Sequence, residues 1–329
     1  MNVGCVPKKV MWNTADMAEH LRDAPEYGFS LPGGIPSFDW TTLKHKRDAY
    51  IHRLNGIYER NLEKDKCDYL SGVATFLEPG KIQVKFLDGS ETKVITANHI
   101  CVAVGGHPAL PKEIPGYEHG IDSDGFFQLE TQPKRVAIVG AGYIAVEFAG
   151  IFHALGSETH LFIRQNSFLR TFDPLIQETL VKEYEGNGIN LHKQSHVSKV
   201  EKLDSGALKL YYKSSLGEGT AEVDTLIWAI GRTAETEQLG LKAANLKTDA
   251  KGNVVVDEYQ NTSTPGIYAL GDVAGKVELT PGFPLFYVDF DGSCYCCWTS
   301  FGRSPLWRSK ILHLKTRLYK YSICRLCTS

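Results

Sequence analysis

The stretch RVAIVGAGYIAVEFAGIFHALG, residues 135–156, constrains this chain more than any other. A short apolar run, a glycine turn and a second apolar run with helical period make a βα unit. The turn reads Gly140-Ala141-Gly142-Tyr143-Ile144-Ala145, a GxGxxA form of the dinucleotide fingerprint. Glycines there let the backbone approach a pyrophosphate, and the start of the helix aims N–H groups and the positive end of its dipole at it. The next strand is ETHLFI. An NAD site wants an acid at the end of that strand, about 20 residues past the glycines. Ile163 and Arg164 stand there instead, and Arg170 follows. Two guanidiniums suit a 2′-phosphate, so NADPH is expected over NADH.

The rest of the chain alternates in the same α/β manner. Pro7 suits the first turn of a helix running through Lys8 to Arg22, and a second helix is expected over 38–62 with Ser37 as its cap. Then the period changes to two. GVATFL, KIQVKF and TKVITA read as strands with a turn at Asp88-Gly89, and HICVAVGG as a buried strand ending in glycines. Beyond the βα unit, NLHKQSHVSKVEKL and ALKLYYKSS read as antiparallel additions, DTLIWAIGR as a buried strand and TPGIYALGDVAG as a closing strand and turn.

Charge is balanced, with 36 Lys+Arg against 38 Asp+Glu, which argues against a nucleic-acid or membrane surface as partner and favours a small molecule. MNVGCVPKKVMWN lacks the apolar core of a signal peptide, and no apolar run reaches the roughly 18 residues of a membrane span. Only Cys5, Cys67 and Cys101 lie outside the last 36 residues, a usage that suits a reducing compartment. A soluble cytoplasmic protein is expected; a mitochondrial form is not readable from the chain.

Block after block, from residue 1 to about Pro281, the chain resembles the glutathione reductase family: NVGCVPKK, RDAY, SDGFFQL, VGAGYIAVEFAG, IRQNSFLR, WAIGR and GIYALGDVAGK stand in order at fitting distances. The resemblance implies two Rossmann-like domains, one for FAD and one for NADPH, and transfer of electrons from NADPH through the flavin to a cysteine pair and on to glutathione disulfide. It divides the chain into a partial FAD-binding domain (1–104), an NADPH-binding domain (105–234), a return segment of the FAD domain (235–281) and a divergent tail (282–329). By the same resemblance Cys5 is the flavin-facing thiol, and Lys8 and Glu147 form an ion pair by the reactive ring. Tyr143 covers the flavin until nicotinamide displaces it. Arg232 lies by NADPH with Arg164 and Arg170, Asp272 bonds the FAD ribityl chain with Thr280 nearby, and Tyr50 and Tyr58 line the glutathione site.

Three departures stand beside the match. The family pattern CVNVGC has a second cysteine that this chain lacks, since the sequence opens at Met1 inside it, and the first fingerprint of the FAD domain does not appear. Nor does the family's dimer-forming interface domain follow Pro281. The expectation is an incomplete FAD domain, a missing interface domain and impaired reduction of glutathione disulfide; an NADPH-binding remnant without redox activity is the alternative, and another disulfide reductase of the family, such as a lipoamide dehydrogenase relative, fits Arg164, Arg170 and the VPKK block less well. The tail carries seven Lys/Arg and two Asp, holds no period for long and is expected to have little order. Its Cys294-x-Cys296-Cys297 and Cys324-x-x-Cys327 resemble thiolate pairs for zinc, but CxCC is crowded and no metal is expected. His153, His160 and His313 read as surface or packing residues.

Overall fold

The computed structural model describes residues 2–276, together with the backbone of a hairpin formed by β16 (Phe286–Asp289) and β17 (Ser293–Cys296). Thr280, His313 and Cys297, Cys324 and Cys327 lie outside the described residues, as does most of the divergent tail. The chain forms two compact units, residues 1–69 with 107–233, and 70–106 with 234–329. Residues 1–69, assigned in sequence to the flavin-binding half, thus cluster with the fingerprint region.

In the first unit α1 (Cys5–Asp23) and α2 (Trp40–Lys64) accompany a five-stranded sheet. Its strands are β6 (Ile121–Asp122), β7 (Arg135–Val139), β8 (Glu158–Phe162), β9 (Asn190–His192) and β13 (Thr225–Trp228), in the order β6-β13-β7-β8-β9 and parallel throughout. The four-residue α3 (Ser123–Phe126) follows β6, α4 (Tyr143–Ala154) joins β7 to β8, and α5 (Pro174–Gly186) joins β8 to β9. Asn190–His192 therefore extends the parallel sheet and is not an antiparallel addition.

Alternation along the strands explains why both faces are covered. Val136, Ile138, Leu161 and Ile227 point into a core shared with α4 and α1, while Ala137, Phe162, Leu226 and Trp228 pack against Val197, Leu208, Leu210 and Val223. Those last residues belong to an antiparallel sheet of β10 (His196–Lys202), β11 (Leu208–Ser214) and β12 (Gly217–Val223). The helix α2 starts later than expected: Asp39, not Ser37, caps it, accepting the N–H groups of Thr41 (2.9 Å) and Thr42 (3.3 Å). Trp40 then lies parallel to Phe152 with ring centroids 5.6 Å apart and donates Nε1–H to the Leu129 carbonyl.

The second unit holds the antiparallel strands β1 (Gly72–Glu78), β2 (Lys81–Phe86) and β3 (Lys93–Thr96), and the parallel pair β4 (Ile100–Val102) and β15 (Ile267–Ala269). Phe76, Val102, Leu239, Val254, Ile267 and Val273 form its core. The expected buried strand HICVAVGG is shorter than the sequence suggests, because the β pairing stops at Val102 and Ala103 and Val104 are exposed. The short strands β5 (Gly106–Pro108) and β14 (Arg232–Ala234) pair with each other.

Candidate functional site

The two fingerprint glycines do different work. A Cβ on Gly140 would stand 2.1 Å from the carbonyl oxygen of Ala229, so the close approach of the β7 end to the chain after β13 excludes any side chain there. A Cβ on Gly142 would meet nothing within 4 Å. Gly142 is the N-cap of α4, no side chain caps that helix, and its first turn carries no acid. An uncapped helix start beside open space is what a pyrophosphate needs. Ile144, in the first turn, packs its side chain against the core and so fixes the helix to the sheet.

At the end of β8, Ile163 is buried and Arg164 exposed; Arg170 follows Leu169, whose φ of 57° turns the chain. Among the described residues neither arginine forms an ion pair, so both cations remain available to an anion. These features of the chain fit NADPH. Arg232 lies 3.9 Å from Asp124, whose carboxyl is held above its ordinary pKa because burial outweighs the pull of the guanidinium.

The helix that carries the expected thiol packs on the fingerprint helix. Cys5 opens α1 after Gly4 (φ 87°), exposed and unpaired. One turn on, Lys8 forms an ion pair with Glu147 of α4, and its ammonium lies 5.1 Å from the centre of the Tyr143 ring. Cys5, Lys8, Glu147 and Tyr143 are thus brought together from residues 5 to 147 of the chain.

The remaining expected residues stand elsewhere. Tyr50 and Tyr58 are 37% and 52% exposed on α2, so neither belongs to the buried side of that helix, which Trp40, Arg47 and Ile51 occupy. Asp272 sits half-buried in a short turn, Gly271–Ala274, of the second unit, and its carbonyl accepts the N–H of Gly275.

Two groups escaped the sequence reading. Arg47, 1% exposed, donates to Asp48 (2.7 Å) and to the Phe127 carbonyl (2.6 Å), and touches Met11 of α1. His160 is not a lone packing residue: its Nδ1 shares a hydrogen bond with His192 Nε2 (3.0 Å) and its Nε2 bonds Glu158 (3.0 Å). Burial, and then the neighbouring His160, push the His192 pKa down to about 4. Neither arrangement could be found locally, since beside the near partners Asp48 and Glu158 each needs a distant one, the Phe127 carbonyl and His192.

A parallel sheet ending in an uncapped glycine turn, with two free arginines past its second strand, defines a dinucleotide-binding α/β protein. Residues 1–282 match the family Pyridine nucleotide-disulphide oxidoreductase, and the chain belongs to that family. It is 54% identical over 282 residues to a glutathione reductase of Schizosaccharomyces pombe, an alignment covering 85% of this chain and 60% of that protein. With a glutathione reductase of Yarrowia lipolytica the identity is 52% over 288 residues, covering 85% and 61%. The chain thus spans about 60% of the length of these curated relatives. Among the described residues, no helix is long and apolar enough to cross a membrane.

Proposed function

We propose that this chain supplies the NADPH-binding and thiol-bearing parts of a glutathione-disulfide reductase. The observation that carries the reading is the seating of the Cys5 helix on the fingerprint helix through Lys8 and Glu147. It is supported by the similarity to two proteins named glutathione reductase.

When bound, NADPH would supply a hydride and FAD would pass the electron pair to a disulfide that includes Cys5, reducing it to thiols. The chain's own residues have separable tasks. Gly140, Gly142 and the first turn of α4 hold the pyrophosphate, Arg164 and Arg170 the 2′-phosphate, and Arg232 lies beside them. Lys8 and Glu147 set the charge by the flavin's reactive ring, and Tyr143 covers that ring. Asp272 bonds the flavin's ribityl chain with Thr280 nearby, Tyr50 and Tyr58 line the glutathione site, and Cys5 carries the exchange. In this reading 105–234 binds NADPH, and 1–104 with 235–281 binds FAD. A cytoplasmic setting suits the three unpaired cysteines among the described residues.

The test joins this chain to those parts of the Schizosaccharomyces pombe protein that it does not match, loads the chimera with FAD and follows flavin absorbance without oxygen. Excess NADPH should first reduce the disulfide through the flavin and then bleach the flavin, and glutathione disulfide should restore the colour. Cys5→Ser should keep the bleaching and abolish the restoration. A chimera that binds NADPH and FAD with no bleaching would overturn the proposal in favour of nucleotide binding without redox chemistry.

A further inference from the structure

The loop that carries Arg170 is tied down from three directions. Phe168 and Leu169 are buried in the core of the first unit. Leu169, at its left-handed φ of 57°, donates its N–H to the carbonyl of Ala141 in the fingerprint turn (2.8 Å). A bulky residue keeps such a conformation only where its surroundings hold it. Phe172 N–H then returns to the Leu169 carbonyl (2.8 Å), which makes residues 169–172 a β-turn with Arg170 at its second position.

The third tie comes from α5. Leu180, Val181 and Tyr184 of that helix pack on the core at helical spacing. Carried one turn toward the start of the helix, the same stripe lands on position 177, where a glutamine stands in place of an apolar residue. Gln177 is half-buried, whereas the apolar Leu175 and Ile176 beside it are exposed. A polar side chain on the inner face of a helix needs partners. Gln177 has two: its Oε1 accepts from the Ser167 hydroxyl (3.0 Å) and its Nε2 donates to the Phe172 carbonyl (2.9 Å). Residues 167 and 172 flank Arg170, so one amide bridges both ends of its turn.

Arg164 is secured by other means. Ile163 donates N–H to the His192 carbonyl (3.0 Å) and accepts from Ser195 N–H (2.9 Å), while Gln165 accepts from Gln194 N–H (3.1 Å). Backbone bonds to the end of β9 and the loop after it thus hold the residues on both sides of Arg164.

Resting on the assignment of Arg164 and Arg170 to a 2′-phosphate, we infer that Gln177 is a positioning residue for nucleotide selection: it holds the turn under Arg170 and so contributes to the preference for NADPH over NADH. A cation carried on a fixed turn loses less freedom when an anion arrives. The experiment titrates this chain and its variants with NADPH and NADH, followed by dihydronicotinamide fluorescence. Gln177→Met keeps the length of the side chain and removes both hydrogen bonds. It should weaken NADPH about three- to tenfold, the range that ordering one long side chain costs, and leave NADH within about twofold. Ser167→Ala, which removes one of the two bonds, should show a smaller loss of the same kind. In an Arg170→Ala background Gln177→Met should change nothing further, whereas in an Arg164→Ala background its effect should persist in full. Equal weakening of NADPH and NADH by Gln177→Met would reduce Gln177 to a structural residue and overturn the inference. An undiminished effect in the Arg170→Ala background would overturn it too, as would an unchanged NADPH affinity of Gln177→Met in a chain that prefers NADPH. A parent chain that binds the two nucleotides equally would instead overturn the 2′-phosphate reading, and the inference with it.

Discussion

Replacing Arg164 and Arg170 together by alanine isolates the 2′-phosphate from every other part of the nucleotide. Both side chains are exposed and neither has an ion-pair partner among the described residues, so their removal breaks no structural contact of that kind. Surface changes of this type shift stability by about 0.5 kcal/mol or less. A hydrogen bond to a charged group contributes about 1.5–3 kcal/mol, and exposure places these two at the low end. Two such losses sum to about 3 kcal/mol, roughly a hundredfold in dissociation constant. NADH has no 2′-phosphate and should bind the variant within about twofold of the parent, since nothing else in its site has changed. The assay is an equilibrium titration of dihydronicotinamide fluorescence with each nucleotide, repeated at two salt concentrations. The NADPH advantage of the parent should shrink as salt rises, because exposed charges are screened. Equal loss of NADPH and NADH would refute the reasoning, as it would mean that the arginines shape the turn after β8 and do not read the phosphate.

Three further outcomes follow from single contacts. Gly142→Ala, placed in open space at an ordinary φ of −89°, should leave the urea midpoint almost unchanged and weaken NADPH at least tenfold, whereas Gly140→Ala should cost about 3 kcal/mol or more of stability through its clash with Ala229; the reverse pattern would invert the two roles. Arg47→Leu strips the Phe127 carbonyl and Asp48 of a buried donor and should cost about 3–5 kcal/mol by urea unfolding, and a cost below about 1 kcal/mol would deny the arginine its place between α1 and α2. His192 is folded with a pKa of about 4 against 6.5 unfolded, so the unfolded chain binds more protons between those values. Its contribution is complete above pH 6.5 and is lost as the pH falls to 4, by about 3 kcal/mol in full and about 1–2 kcal/mol once partial exposure is allowed for. His192→Phe should flatten that limb of the stability profile, and an unchanged slope would sink the assignment.

What the sequence made legible was whatever lies within one local window. The strand, glycine turn and helix of 135–156 need no distant partner to be recognised, and neither does the absence of an acid after β8. The same window could not tell that Gly140 is demanded by the protein itself and Gly142 by open space, because the atom that decides it, the Ala229 oxygen, arrives from β13. Strand β12 was hidden for a related reason. Its glycines suggest a turn, yet Gly219 lies opposite Tyr212, and a Cβ there would fall 2.5 Å from the tyrosine ring. The missing side chain is room for the aromatic, so a residue that weakens a strand in isolation serves one in the sheet. Long polar side chains are the hardest to place from sequence. Arg22 and Arg47 look like solvated helix charges, but their carbonyl partners lie 132 and 80 residues further along. A guanidinium can cross from one helix to another while its stem covers apolar surface, and nothing in the local pattern of charges distinguishes that use from exposure to water. The consequence reaches the candidate site: its chemistry-bearing residues and the Lys8–Glu147 pair were readable by motif and resemblance, while the bond from Arg22 to the Ala154 carbonyl at the other end of the same two helices becomes visible only when the chain is folded.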